Sequence, residues 1–333
     1  MENKLKIAIV GAGIAGLAAA RILAANDYDV TVFEKSRGVG GRLSTRYAND
    51  FEFDHGVQYF TAQSPVFIEL VRQMQADGVV EPWHGDFVQL ENNQPVTLLR
   101  DNRSRYVGVP RMNAVGKYLA RGLSISLNHQ ITNIISVHKG LQLEINHKLI
   151  SEKFDWVVFA IPDVQLKSLL PSNHQFSKSL SDVVMQGCHV LMLGLDDSFR
   201  MPNWQGASIK NSCIQWISCN SSKPRRAAKP TLVVLSANQW SEDHAQTNLE
   251  HVQTCLSAAA SQMFELETEH IQHTDLHYWR YANCIKPMQP DTMLDINLRL
   301  AICGDWTQGA KVEVAYLSGQ RVAQELIKYL ANL

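Results

Sequence analysis

The chain has 333 residues, 45% of them hydrophobic, enough for about two domain cores, which excludes a disordered or fibrous protein. Its 31 basic and 32 acidic residues leave a net charge of −1, and only 19% of residues are charged. Nothing here supplies the field that draws nucleic acid or an anionic membrane surface, so small molecules are the expected partners.

The N-terminal run KLKIAIVGAGIAGLAAARILAA imitates a signal or membrane segment, but three glycines and Arg21 interrupt it and no stop-transfer pattern follows. It reads instead as a βαβ unit: a short apolar strand at Lys6 to Val10, a helix at Ile14 to Ala25, and an alternating strand at Asp29 to Glu34. Helices are predicted at Pro65 to Gln75 and Arg111 to Arg121, followed by a strand-rich run from Ser124 to Ile145, broken at Lys139-Gly140. A buried-type strand, Asp155 to Ile161, stops at Pro162. GCHVLMLGL, CIQWIS and TLVVLSA then read as strands without intervening helices, which predicts an antiparallel sheet, and an amphipathic helix follows around Ala245 to Phe264. The tail returns to α/β character, with LAICGD as a strand into a turn and Ala315 to Leu330 as a closing helix. The expected organisation is a discontinuous cofactor domain, 1–62, 106–162 and 296–333, interrupted by a substrate domain of 63–105 and 163–295.

Gly11-Ala-Gly13-Ile14-Ala15-Gly16 lies between the first strand and the first helix, and Glu34 closes the second strand. Gly11 permits the tight turn, Gly13 lets backbone amides approach a pyrophosphate, and Gly16 lets helix and strand pack closely. The helix N-terminus faces those phosphates with partial positive charge. Glu34 is placed to accept from ribose hydroxyls, which disfavours a 2′-phosphate there. The fingerprint alone does not distinguish NAD from FAD.

The following residues do. Glu34, Lys35, Ser36, Arg37, Gly38, Val39, Gly40, Gly41 and Arg42 form an E-x5-G-G-R pattern too long and glycine-rich for an ordinary strand-to-helix turn. It resembles the extension of flavoprotein amine oxidases in which backbone and arginine follow the FAD pyrophosphate and ribityl chain; a basic surface loop is the alternative. GRLSTRY, FDHGVQYFTA, HYWRYA and CGDWTQGAKVEVAYLSGQRVA occur in the order seen in renalase-like flavoproteins, a resemblance that is specific at both ends of the chain and thin between Ser151 and Gln272. It implies an FAD-binding Rossmann-like fold of the GR2 type, with an inserted α+β substrate domain built on an antiparallel sheet. It further implies Ile131 against the adenine, Gly304 and Asp305 at the phosphates and ribityl chain, and Gln58, Tyr59 and Phe60 bordering the isoalloxazine. The amides of Glu313, Val314 and Ala315 would meet the pyrimidine edge, although Val314 stands where that family leads one to expect glycine. No cysteine matches a covalent attachment motif, so the FAD is expected to be non-covalent.

The six cysteines contain no C-x-x-C pair, which signals neither a disulfide framework nor a zinc ribbon and fits a reducing, cytoplasmic setting. His270, His273 and His277 invite a metal, but their odd spacings in a strand-like segment scatter them over both faces, and no metal is expected. The Lys223 to Pro230 run reads as a solvated loop or, alternatively, an anion-gathering lip. Trp279 and Tyr281 read either as core or, given the resemblance, as an active-site wall on which a planar ring stacks. The resemblance implies an FAD-dependent oxidase that takes hydride from a 2- or 6-dihydro isomer of NAD(P) and is reoxidised by O2 to give H2O2. A monoamine or polyamine oxidase and a non-enzymatic dinucleotide-sensing module are the alternatives.

Overall fold

The computed structural model describes residues 4–91, 94–99, 103–171 and 174–332. They separate into two compact units, one of 1–41, 115–185 and 284–333 and the other of 42–114 and 186–283. Relative to the boundaries expected from the sequence, residues 42–62 fall in the second unit and residues 163–185 in the first.

In the first unit, six strands lie in the order Leu294–Asp295, Leu300–Ile302, Trp156–Phe159, Lys6–Val10, Asp29–Glu34, Ser124–Leu127. All neighbours are parallel except the first pair. Trp156–Phe159 is buried throughout, as expected of a central parallel strand with both faces covered. The Ile14–Ala25 helix is Ala-rich and buries Ile14 to Ala20 and Leu23, so it packs on more than one side. One neighbour is the Val312–Leu330 helix, which carries Ser318, Gly319, Val322, Ala323 and Leu326 on its buried stripe. A β-carbon at Gly319 would sit well inside contact distance of the Ala15 carbonyl oxygen, so the two helices touch backbone to backbone. An antiparallel meander of Ile131–Val137, Gly140–Ile145 and Lys148–Phe154 completes this unit's sheets, with Lys139 at φ 60° serving the turn.

In the second unit, a seven-stranded sheet runs Ile271–Lys286, Val184–Leu195, Thr231–Ser236, Ile214–Cys219, Gly206–Ile209, Phe87–Glu91, Gln94–Leu98. It is antiparallel where the register is defined except between Gly206–Ile209 and Phe87–Glu91, which pair in parallel. Val184–Leu195 is buried on both faces from Gly187 onward. One face, with Leu191, Leu193 and Leu195, packs in a core with Val252, Leu256 and Ala260 of the Leu249–Phe264 helix. The other, with Cys188, Val190 and Met192, meets Phe51 and Phe53. The helix expected over Ala245 to Phe264 begins at Leu249, where Asn248 caps it by accepting from the Glu250 amide at 2.8 Å. A separate short helix spans Asn238–Asp243. Among the described residues no helix is long and apolar enough to cross a membrane, and all six cysteines are free thiols.

The helix contact makes a stability prediction. Gly319→Val should lower stability by about 1–3 kcal/mol through overpacking. Chemical denaturation reads the change, and an unaltered midpoint would mean that the backbones are farther apart than described.

Candidate functional site

Gly11 follows the Lys6–Val10 strand at φ 103°, donates its N–H to the Phe33 carbonyl at 2.8 Å, and has no room for a side chain, since a β-carbon would lie 2.7 Å from the Ala160 oxygen. A β-carbon on Gly16 would run into the Gly11 carbonyl. Gly13 differs: a β-carbon there would meet nothing within 4 Å, and no side chain caps the helix that Ile14 and Ala15 begin. The fingerprint is thus tight on its protein side and open at the helix N-terminus, which is the shape a pyrophosphate requires.

The glycine-rich loop packs against this turn. Gly40 donates to the Ala12 carbonyl at 2.8 Å and bridges to Gly13, while Gly41, at φ 54°, would bring a β-carbon to 3.4 Å from the Gly13 α-carbon. Lys35 and Arg37 are exposed on this loop. Glu34 is buried, and its two carboxylate oxygens accept from the Ala12 and Ser36 amides, each at 2.8 Å. It therefore ties the fingerprint to the following turn, and each oxygen keeps a further lone pair for a ribose hydroxyl. Asn128 and His129 donate to the carbonyls of Ser36 and Glu34, which brings the chain leading to buried Ile131 alongside.

Gly304, at φ 150°, follows the Leu300–Ile302 strand and donates to the Ser318 hydroxyl at 2.9 Å. Asp305 is buried. Glu313 is buried and Val314 half-buried in the first turn of the last helix, and Val314 has no positive φ, so the expected glycine is not required by the backbone. The Ala315 amide donates to the Lys311 carbonyl at 3.0 Å and is taken by the helix rather than left for a ligand. All these positions cluster at the carboxyl ends of parallel strands, where open α/β sheets bind nucleotides.

The second unit holds the remaining candidates. Arg42 donates from Nη1 to the Ala282 carbonyl at 2.6 Å, anchoring it to the Ile271–Lys286 strand. Phe60 is a core residue against Phe67 and Tyr106. Tyr59 lies among Trp83, Phe87 and Trp216. The Gln58 carboxamide is fully engaged: its nitrogen donates to the carbonyls of Asp54 and Gly56, and its oxygen accepts from Lys223 Nζ at 3.2 Å.

That last contact belongs to a network that sequence reasoning missed. Lys223 and Arg226 are buried on Asp54, whose Oδ2 lies 3.2 Å from Lys223 Nζ and 2.6 Å from Arg226 Nη2. The reading of Lys223 to Pro230 as a solvated loop or open anion lip is corrected for these two residues, because a buried carboxylate draws both cations inward. Lys229 and Arg225, paired with Asp50 and Glu81, do remain at the surface. Burial alone would raise the Asp54 carboxyl, but the charges of Lys223 and Arg226 hold it down to about 2. Burial pushes Lys223 down to about 8 despite Asp54. With all three ionised the network carries one net positive charge. The only advance signal was an aspartate set directly after Phe53 in the FEFDHGVQYF segment.

Trp279 is partly buried, donates its indole N–H to the His55 carbonyl at 2.8 Å, stacks on the His55 ring at 5.3 Å and meets His277 edge-on at 4.5 Å. Tyr281 is half-buried further along the same strand. Burial, then the neighbouring His277 and the Arg46 charge, push His55 down to about 4, and its Nδ1 is buried without a partner. Burial and Arg46 likewise push His277 down to about 4. His273 lies instead against the rings of Phe51 and Phe53, and His270 against Phe199, so the three histidines of HIQHTDLH go to separate surroundings. Among the described residues no group of His, Cys, Asp or Glu is arranged to hold a metal.

Comparison with known proteins decides the family. The profile of NAD(P)-binding Rossmann-like domains matches residues 9–74, and that of flavin containing amine oxidoreductases matches residues 93–327. The chain belongs to the flavin-containing amine oxidoreductase family. This oxidoreductase is FAD-dependent, and the open fingerprint around Gly13 fits that cofactor. A segment of 52 residues is 48% identical to a 4,4′-diapophytoene desaturase of Staphylococcus aureus (strain Newman), covering 16% of this chain and 10% of the desaturase. The chain thus spans about a tenth of that relative's length. A candidate protoporphyrinogen oxidase from Exiguobacterium sp. 255-15 superposes with a TM-score of 0.82 at 12% identity, covering 99% of this chain and 100% of that one. Wild-type putrescine oxidase bound to putrescine gives a TM-score of 0.71 at 13% identity, covering 98% and 100%. At such identities the two structures speak for the fold of the oxidoreductase and no more.

Two predictions follow from this geometry. Glu34→Ala should weaken FAD retention by roughly 1–3 kcal/mol, the cost of losing charge-assisted hydrogen bonds, and Glu34→Gln by less, since its amide oxygen still accepts from Ala12. Unchanged FAD affinity on titration of the Ala variant would remove Glu34 from the cofactor site. For His55 and His277 the folded pKa lies below the ordinary 6.5, so the unfolded chain binds more protons between 6.5 and about 4 and stability must fall as pH falls through that window. The slope attributable to His55 approaches about 1.4 kcal/mol per pH unit. Urea denaturation across the window should show the decline, with a shallower one in His55→Phe; equal slopes would show that His55 is not held neutral.

Proposed function

We propose that this FAD-dependent oxidoreductase removes a hydride from a 2- or 6-dihydro isomer of NAD(P), returning ordinary NAD(P)+, with O2 as the final acceptor. The sum is balanced: the dihydro isomer, O2 and one proton give the oxidised dinucleotide and H2O2. FAD, held non-covalently, supplies hydride acceptance and reaction with O2. The chain's own residues bind and orient. Gly13 and the first turn of the Ile14–Ala25 helix would hold the pyrophosphate, Glu34 the adenosine ribose, Gly304 and Asp305 the ribityl side, and the Val314 amide the pyrimidine edge.

The observation that carries the reading is the Trp279, His55 and His277 cluster. The indole is fixed by its N–H bond, by two rings and by packing against the core around Phe51 and Phe53, so it does not swing, and alignment by such a fixed ring is a large part of what a site contributes to rate. With both imidazoles near 4, the cluster at neutral pH is uncharged and a poor proton acceptor. A dihydropyridine expels hydride with its own nitrogen lone pair and needs no base, whereas an amine must first be deprotonated. The net positive charge of Asp54, Lys223 and Arg226 in the same unit also works against a cationic amine. The likeness to renalase-like flavoproteins points to the same substrate.

Mixed anaerobically with the holoenzyme, 2- or 6-dihydro-NAD(P) should bleach the flavin absorbance far faster than benzylamine, tyramine or spermine, and 4-dihydro-NADH should be poor. Trp279→Ala should slow the bleaching. Rapid reduction by an amine, with the dihydro isomers leaving the flavin oxidised, would replace this reading by an amine oxidase.

A further inference from the structure

Asp275, His277 and Trp279 alternate along the Ile271–Lys286 strand and so share one side of it. Against that side lies a two-stranded ribbon of Arg46–Ala48 and Phe51–Phe53, in which Arg46 pairs with Phe53, two residues before His55. Arg46 divides its guanidinium between two residues of the strand. Its Nη1 donates to Asp275 Oδ2 at 2.8 Å, and its Nη2 lies 3.2 Å from His277 Nδ1.

A guanidinium has donors and no acceptor, so the nitrogen it meets must be bare. A neutral imidazole bare at Nδ1 carries its proton on Nε2. Burial and the Arg46 charge push His277 down to about 4, which keeps the ring neutral at pH 7. That ring has one basic lone pair, and Arg46 covers it. His277 is thus a hydrogen-bond donor whose capacity as a base has been withdrawn. Among the described residues its Nε2 has no hydrogen-bond partner, and the ring stands nearly perpendicular to Trp279 at 4.5 Å and to His55 at 5.0 Å.

We propose that Arg46 and Asp275 are positioning residues that hold His277 as its Nε2–H tautomer, and that this N–H donates to the carboxamide oxygen of a nicotinamide-type substrate. Asp275 aims the guanidinium, Arg46 selects the tautomer, and His277 touches the substrate. An ammonium has no lone pair to offer such a donor, so the same arrangement selects against a protonated amine. The inference deepens the dihydronicotinamide reading and rests on it for the identity of the acceptor, whereas the tautomer follows from the Arg46 contact.

Ring-nitrogen NMR of the FAD-loaded protein with isotope-labelled histidine, His277 being assigned by its loss in His277→Phe, reads the tautomer directly. At neutral pH Nε2 should be protonated and Nδ1 bare. Arg46→Met, which keeps a stem and removes the donors, should let both tautomers appear, and Arg46→Lys, which can still donate to Nδ1, should restore the wild-type pattern. Added 1-methylnicotinamide should shift the wild-type Nε2 signal, and 1-methylpyridinium, the same cation without the carboxamide, should not. In turnover of the dihydro isomers Arg46→Met should lower kcat/KM about tenfold, the scale of one lost hydrogen bond. An Nδ1–H tautomer in the wild type, an unchanged tautomer in Arg46→Met, or a failure of the two cations to differ overturns the proposal. The wild-type spectrum and the two cations decide the matter where Arg46→Met does not fold. The substrate reading is judged separately. Dihydro isomers that bleach the flavin with unchanged kcat/KM in Arg46→Met leave that reading standing and remove the positioning role. The tautomer, its loss in Arg46→Met and the carboxamide-specific shift uphold the positioning role even where no dihydro isomer reduces the flavin.

Discussion

Where the Ile14–Ala25 helix begins, three stretches of backbone approach so closely that no β-carbon fits between them. Gly16 rests on the Gly11 carbonyl, Gly11 on Ala160, and Gly319 of the last helix on the Ala15 carbonyl. Close packing without side chains draws the strand ends of Lys6–Val10 and Trp156–Phe159 and the final helix to one point, and the helix N-terminus at Gly13 is left as the open side. Everything assigned to the cofactor in this unit, from Glu34 to Gly304 and Val314, hangs from that junction. The Gly40 loop repeats the device, because its α-carbon sits against Gly116 with 2.6 Å to where a β-carbon would be.

The nucleotide half was legible because local pattern and tertiary role coincide there. Strand, glycine turn, helix and acidic strand end occur within a few dozen residues, and the elements at Lys6–Val10, Ile14–Ala25 and Asp29–Glu34 have the ends the periodicity assigns them. The second unit was less legible. Its three central strands show in their β-branched runs, but the parallel pairing of Gly206–Ile209 with Phe87–Glu91 joins segments far apart in sequence, and no local signal announces a partner at such a distance. The burial of Lys223 was unreadable for the same reason. A lysine beside proline and two arginines has the composition of a surface loop, and only the fold brings Asp54 to it. Val314 was the opposite case, a departure from an expected glycine that turns out to lie in ordinary helical backbone.

Asp54, Lys223 and Arg226 also show why the 54–60 segment holds its shape. A buried ion group is costly to desolvate, and removing one member leaves an uncompensated charge, so such groups tolerate few alternative arrangements. Here the group reaches the Gln58 carboxamide through Lys223 and the Gly108 carbonyl through Arg226. The charge cluster acts as a rigid mould for the chain between Phe53 and Phe60, including the His55 carbonyl on which Trp279 is hung.

The order of the segments bears on how the molecule is made. The first unit needs residues 284–333 as well as 1–41, and the second is completed between them. On a ribosome, the Ala face of the Ile14–Ala25 helix must wait for Gly319, roughly 300 residues later, which at about 5–20 residues per second is about 15–60 s of exposure. The later-starting unit can close first, while the nucleotide fold stays open until the Val312–Leu330 helix has been made. A chain interrupted before its last helix would therefore carry an apolar, unpartnered N-terminal helix, the kind of surface that chaperones recognise and proteases find.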